Sequence, residues 1–153
     1  MPTHMQPSWP TVGQRHSRTE EVDEHARRLG MLRANATGFD RHDLDAIMAH
    51  FTDDAIFETP RGPEPHGRRA VGAEAVRAAF ADRFAGIPDV RYQQDEHFVD
   101  GDRGASEWTL SGTTVDGDRL ELRGCDLWTF RDGKIAKKDS YWKIRTAPPP
   151  DAR

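Results

Sequence analysis

One carboxylate stands out in a stretch that otherwise alternates like two adjacent β-strands. Residues 117–142 read GDRLELRGCDLWTFRDGKIAKKDSYW, and Asp126 sits there among apolar and small residues. With a period of two, Leu122, Gly124, Asp126, Trp128 and Phe130 share one face of a strand. A carboxylate on the buried side of a strand is costly unless charge or hydrogen bonds compensate it. Asp126 is therefore a candidate acid or base. Cys125 points to the other face by the same alternation and is not read as a nucleophile. His42, His50 and His97 have no ligand-like spacing, and no H-x-x-x-H pair or carboxylate triad is present. No metal and no cofactor are expected on these grounds.

Elements that could position Asp126 follow from the hydrophobic periods. Thr19 with Glu20, Glu21 and Asp23 reads as a helix start. Val22, Ala26, Leu29, Leu32 and Ala36 then form a stripe at helical spacing, and Gly38 is read as its stop. Asp40 and Asp43 resemble a loose capping box. Leu44, Ile47, Met48 and Phe51 follow at i, i+3, i+4 and i+7, an amphipathic helix. Asp53–Asp54 is read as a turn, residues 55–59 as a short strand, and the proline- and glycine-rich residues 60–67 as a loop. A third helix is expected over 72–84. From residue 90 the period becomes two, giving strands at 90–99, 105–115, 119–130 and 134–144. The separators are Asp100-Gly101-Asp102, Asp116-Gly117-Asp118 and Arg131-Asp132-Gly133, strong hairpin signals. Helices first and a long antiparallel meander afterwards imply an α+β domain.

The domain is placed at residues 19–145, between tails at 1–18 and 146–153 that are expected to be disordered. The chain has 153 residues, a formal net charge of −4 and one cysteine. That charge leaves no electrostatic footprint for nucleic acid. A single cysteine excludes an internal disulfide and suits a reducing cytoplasm. There is no apolar run of membrane-spanning length and no signal-peptide pattern, so a cytoplasmic protein is expected.

The element order, DLDAIMAHFTDDAIFETP and GCDLWTFRDGKIAKKDSYW together resemble the SnoaL-like and ketosteroid-isomerase-like branch of the nuclear transport factor 2-like superfamily, over about residues 20–145. The resemblance implies a cone-shaped, strongly curved antiparallel sheet with three helices covering a concave pocket. It implies a homodimer formed through the outer face of the sheet. It also implies a small hydrophobic ligand.

Laid against ketosteroid isomerases, Asp126 falls where they hold a protonated aspartic acid, a carboxyl group kept neutral by its apolar site. Thr59 falls at their general base, which threonine cannot replace, and residues 29–36 lack their oxyanion tyrosine. Laid against limonene-epoxide-hydrolase-like members, Lys138 falls at a pocket tryptophan and Ser140 at a pocket aspartate. The resemblance to SnoaL-type cyclases asks for only one well-placed carboxyl group.

By the same comparison Lys138, Ser140 and Trp142 face inward, as do Glu107, Thr109 and Ser111, with Trp108 outward. Asp126 would be the acid/base and Lys138 its electrostatic partner. Glu107 is a second possible acid/base. Trp128 and Trp142 would wall a flat apolar ligand, with Thr59, Thr109 and Ser140 among the contacts. His66 could lie over the mouth. Arg61, Arg68 and Arg69 are read as surface charge that could touch an anionic tail. The implied function is cofactor-independent isomerase, cyclase or lyase chemistry on a hydrophobic, carbonyl-bearing metabolite. The alternatives are a non-catalytic binding or assembly module and an epoxide hydrolase.

Overall fold

The computed structural model describes residues 17–146. The expected tails lie almost wholly outside the described residues. The chain runs α1 (Arg18–Asp40), α2 (Leu44–Met48), β1 (Phe51–Glu58), β2 (Arg69–Val71), α3 (Ala73–Gly86), β3 (Arg91–Asp100), β4 (Arg103–Thr113), β5 (Arg119–Arg131) and β6 (Lys134–Trp142). Six strands form one sheet in the order β2-β1-β6-β5-β4-β3. From β3 to β6 the sheet is an antiparallel meander. It is mixed overall, because β1 runs parallel to β6. No helix among the described residues is long and apolar enough to cross a membrane.

Local chemistry explains the ends of the elements. Ser17 caps α1: its hydroxyl accepts from the Glu20 amide while the Glu20 carboxylate accepts from the Ser17 amide. Capping therefore begins two residues before the expected Thr19. Helix α1 also runs past Gly38 to Asp40, and Asp43, rather than Asp40, caps α2 by accepting from the Ala46 amide. Asp40 instead binds the Arg91 guanidinium at 2.8 and 2.9 Å, tying the end of α1 to β3. The β5–β6 turn has positive φ at Asp132 (53°) and Gly133 (73°), as a two-residue hairpin turn requires.

Two expectations about the entry to β1 are corrected. Phe51 leaves the helix and pairs with Ile135, and the Ile135 amide bonds the His50 carbonyl. Asp53 and Asp54 lie within β1 rather than in a turn; a register shift between Phe51 and Ile56 accommodates them. Pairing with the central strand β6 wins over helical periodicity at this point.

The core lies between the helices and the concave face of the sheet. Leu32 and Phe39 of α1, Ile47 of α2, and Val76 and Phe80 of α3 pack on Phe57, Trp128, Phe130 and Ile135. A second cluster of Ile87, Val90, Trp108 and Leu110 closes the other end.

Glu58 at the end of β1 is a buried carboxylate that binds Arg69 at 3.1 Å and also Lys137. Burial pushes its pKa up, but the bonds to Lys137 and Arg69 outweigh that and hold it below the ordinary carboxylate value. A lowered folded-state pKa gives stability that is present above the unfolded value and lost as pH falls through the folded one. Both partners are partly solvated, so Glu58→Gln should cost about 1–2 kcal/mol at neutral pH. Urea unfolding at neutral and acidic pH should show the difference between variant and parent shrinking as pH falls.

Candidate functional site

Asp126 lies on the buried face of β5, opposite Ser106 of β4 and Ser140 of β6. Lys138 is opposite Trp128, one step along the same face of β6. One carboxylate oxygen of Asp126 accepts from Lys138 Nζ at 2.6 Å and from Ser140 Oγ at 2.5 Å. The other accepts from Trp108 Nε1 at 2.9 Å. A carboxylate offers about four acceptor positions, so one remains on the oxygen that faces Trp108.

Lys138 is buried, and its ammonium lies 5.0–6.0 Å from the ring centroids of Phe39, Phe57, Phe80 and Trp128. Burial pushes its pKa below the ordinary lysine value, against the opposing pull of Asp126. Two of its three N–H groups go to Asp126 and to Ser140 Oγ at 2.8 Å. The third has no acceptor among the described residues. The pair thus keeps one donor and one acceptor position in reserve.

A narrow cavity opens on the pair. The volume open to the centre of a water molecule is about 40 Å³, room for a few waters or a slim apolar group. Its apolar wall includes Leu32, Phe39, Phe57, Phe80, Leu110 and Trp142. Asp126 is the one carboxylate in its lining among the described residues. His97 and Ser106 form a second polar pole: Trp128 Nε1 donates to Ser106 Oγ at 2.8 Å, and Ser106 Oγ lies 2.7 Å from His97 Nδ1. Burial, with Arg33 nearby, holds the His97 pKa below its ordinary value, so its ring is neutral near pH 7. Tyr92 also lines the cavity, and burial above all pushes its phenol up to about 12. Asn35 donates to the Ile47 carbonyl at 3.2 Å, while its buried Oδ1 has no partner among the described residues.

The structure brings Asp126, Lys138, Trp128, Ser140 and Trp142 to one cavity. It places three other candidates elsewhere. Glu107 and Thr109 are opposite Cys125 and Arg123, on the convex side of the sheet, and Ser111 follows them. Trp108, expected outward, is inside and bonded to Asp126. The family comparison alone placed Glu107, Thr109 and Ser111 inward, and register decides against it: the five-residue connection 114–118 pairs Thr113 with Arg119 and sets Ser106 opposite Asp126.

Thr59 is the third. Its hydroxyl donates to the Arg61 carbonyl at 2.6 Å and accepts from the Arg68 amide at 3.0 Å. It braces the loop after β1 and lines an outer groove, not the cavity. His66 does not line the cavity. His97 was legible only with the bulge between Gln94 and Glu96, which lets both Tyr92 and His97 face inward.

Gly124 permits the closest approach in the site. A Cβ there would collide with the Trp108 ring and would meet the Tyr141 carbonyl oxygen at 2.5 Å. Since a strand backbone cannot yield freely, Gly124→Ala should cost about 1–3 kcal/mol. It should also displace the indole that bonds Asp126, visible as a changed tryptophan emission in the folded variant.

A family profile described as a SnoaL-like domain matches residues 32–138. A comparison with curated proteins finds no match. Among solved structures, Bal32a from a soil-derived mobile gene cassette is 18% identical with a TM-score of 0.70, covering 78% of this chain and 91% of that one. A polyketide cyclase homologue from Xanthomonas campestris pv. campestris, its activity unproven, is 24% identical with a TM-score of 0.65, covering 78% and 93%. A Mycobacterium tuberculosis protein in complex with estradiol-17beta-hemisuccinate is 25% identical with a TM-score of 0.66, covering 77% and 95%.

Proposed function

The chain belongs to the SnoaL-like domain family, and from that premise we propose that it is a cofactor-independent acid/base enzyme acting on a small, apolar, carbonyl-bearing metabolite. The carrying observation is the unspent acceptor position on Asp126 beside the unspent donor on Lys138, at the polar end of an apolar cavity. A substrate carbonyl oxygen takes the free Lys138 N–H. An adjacent carbon-bound proton passes to Asp126. The negative charge that develops on the oxygen is stabilised by the ammonium. Return of the proton to another carbon gives isomerisation; loss of a β-substituent gives lyase chemistry; attack of the enolate carbon on a second carbonyl gives cyclisation.

A slim carbonyl-bearing end of the ligand enters the cavity, and its flat apolar body lies at the mouth against Phe57 and Trp142. The relative that holds estradiol-17beta-hemisuccinate in its complex is in keeping with a small organic ligand here. A single carboxylate in the lining favours proton transfer over epoxide hydrolysis, which needs a water held between acidic groups. The non-catalytic binding module remains the second reading, favoured by the three donors that already engage Asp126.

We also place the protein in the cytoplasm, where free Cys125 stays reduced. It acts as a homodimer joined across the convex face, where Phe98 and Tyr141 are half exposed. Sedimentation of a Tyr141→Glu variant as monomer, against a dimeric parent, tests that arrangement.

The functional reading is tested with 2-tetralone and its enol-shaped counterpart 2-naphthol, by quenching of tryptophan fluorescence. A site built for an enolate should bind 2-naphthol at least about tenfold tighter than the ketone. Equal affinities would favour the binding module.

A further inference from the structure

A wide groove runs outside the cavity and joins it. Phe57, Pro60, Arg83 and Trp142 line both. Among the described residues, the groove carries Arg61, Arg68, Arg83, Arg119, Lys143 and Arg145 against two carboxylates, Asp82 and Glu121. This excess of positive charge stands on a chain whose formal net charge is −4. Chance composition would give the opposite sign.

Arg83 sits at the junction. It projects from the last turn of α3, and its guanidinium lies 4.8 Å from the centroid of the Trp142 ring. A guanidinium held over an aromatic face is attracted to the ring through its charge, and its N–H groups remain for a ligand. Arg83 is half buried and has no ion-pair partner among the described residues, whereas Arg28, Arg69, Arg77, Arg91 and Arg131 all have one. Its positive field reaches inward far enough to act on both Lys138 and Tyr92. An oriented, unpaired, partly desolvated guanidinium at the mouth of an apolar cavity is arranged to bind a carboxylate in two parallel hydrogen bonds.

We propose that the groove is an anion subsite and that the substrate is an apolar carbonyl compound with a carboxylate at its outer end, held by Arg83. The more exposed cations, Arg61, Arg68 and Arg119, draw the anion in through the field they sum to. The apolar body then lies along Trp142 and Phe57, and the carbonyl end reaches Lys138. The subsite rests on the functional reading above for its inner half, the cavity, and on Arg83 alone for its outer half.

Two ligands with the same ring system separate the halves: 2-naphthoate, which carries the anion, and 2-acetylnaphthalene, which carries only a ketone. Binding to the full chain is read by tryptophan fluorescence at low and at raised salt. The parent should bind 2-naphthoate at least about tenfold tighter than the ketone, with the preference falling as salt rises. Arg83→Gln should abolish that preference by weakening 2-naphthoate alone, and Arg83→Lys should restore part of it. Unchanged ketone affinity in Arg83→Gln certifies an intact cavity.

The subsite is overturned if the parent shows no preference for 2-naphthoate. It is also overturned if Arg83→Gln leaves the preference in place, or if both ligands are lost in Arg83→Gln and neither returns in Arg83→Lys. Binding of the ketone without any preference for the acid would sink the anion subsite and leave the cavity reading standing. Arg83-dependent binding of the acid without any binding of the ketone would do the reverse.

Discussion

Asp126→Asn should lower turnover of the true substrate by roughly 10²-fold or more, the scale of a lost general base. It should also destabilise the fold. The surroundings of Lys138 make the reason plain: the ammonium is enclosed by four aromatic rings and has Asp126 as its counter-charge. Removing one partner of a buried pair costs about 3–5 kcal/mol. Lys138 can reduce that cost by releasing its proton. Burial already holds its pKa below the ordinary lysine value, and Asp126 is the main force raising it.

The sign of the pH dependence follows. In the variant the unfolded chain binds a proton at residue 138 that the folded chain has released, so stability rises with pH, by up to about 1.4 kcal/mol per unit. The window lies between the depressed folded-state pKa and the unfolded lysine value. Urea unfolding between neutral and alkaline pH should show the gap between parent and variant closing as pH rises. A gap that is constant or widens would mean that Lys138 is not buried against Asp126.

Lys138→Met should be comparably severe. Methionine fills similar volume among Phe39, Phe57, Phe80 and Trp128, so packing survives. Asp126 keeps Ser140 and Trp108 as donors but loses its only counter-charge within the cavity lining apart from Arg83 at the mouth. A loss of about 3 kcal/mol is expected. Turnover should fall by about 10²–10³-fold, the scale of removing one oxyanion donor.

The double variant Asp126→Asn/Lys138→Met distinguishes the two costs. Without either charge the desolvation penalty disappears, and stability should return to within about 1 kcal/mol of the parent or exceed it. Activity should stay lost. A double variant as unstable as the sum of the singles would contradict the reading of an ion pair retained at a cost in stability.

Asp126 and Trp128 follow from the alternation of β5, which is unbroken from Gly124 to Thr129. The two-residue Asp132–Gly133 turn by itself would set Lys137 and Asp139 beside them; a register shift between Thr129 and Phe130 turns Lys138, Ser140 and Trp142 inward instead, and only the family resemblance placed them there. The face of β4 was not legible, since Asp116-Gly117 signals a hairpin but not its loop length. One residue of register exchanges Glu107 and Thr109 for Ser106 and Trp108. The inward turn of His97 depends on a bulge that no residue type announces. Helix α3 and the strand order of the meander could be read from period changes. Phe51 could not, because it satisfies the helical spacing of α2 and the strand pairing of β1 equally well. Arg83 carries no signal in the sequence beyond its charge. Its position depends on α3 ending beside Trp142.

The central claim is that Asp126 takes a proton from carbon while Lys138 holds the adjacent oxygen. Exchange of the α-protons of 2-tetralone in heavy water, followed by proton magnetic resonance, tests it without knowledge of the natural substrate. The parent should accelerate exchange well above buffer, and Asp126→Asn, measured under conditions where it is folded, should not. Exchange at the buffer rate in a parent shown to bind the ketone, or equal acceleration by parent and Asp126→Asn, would contradict the account.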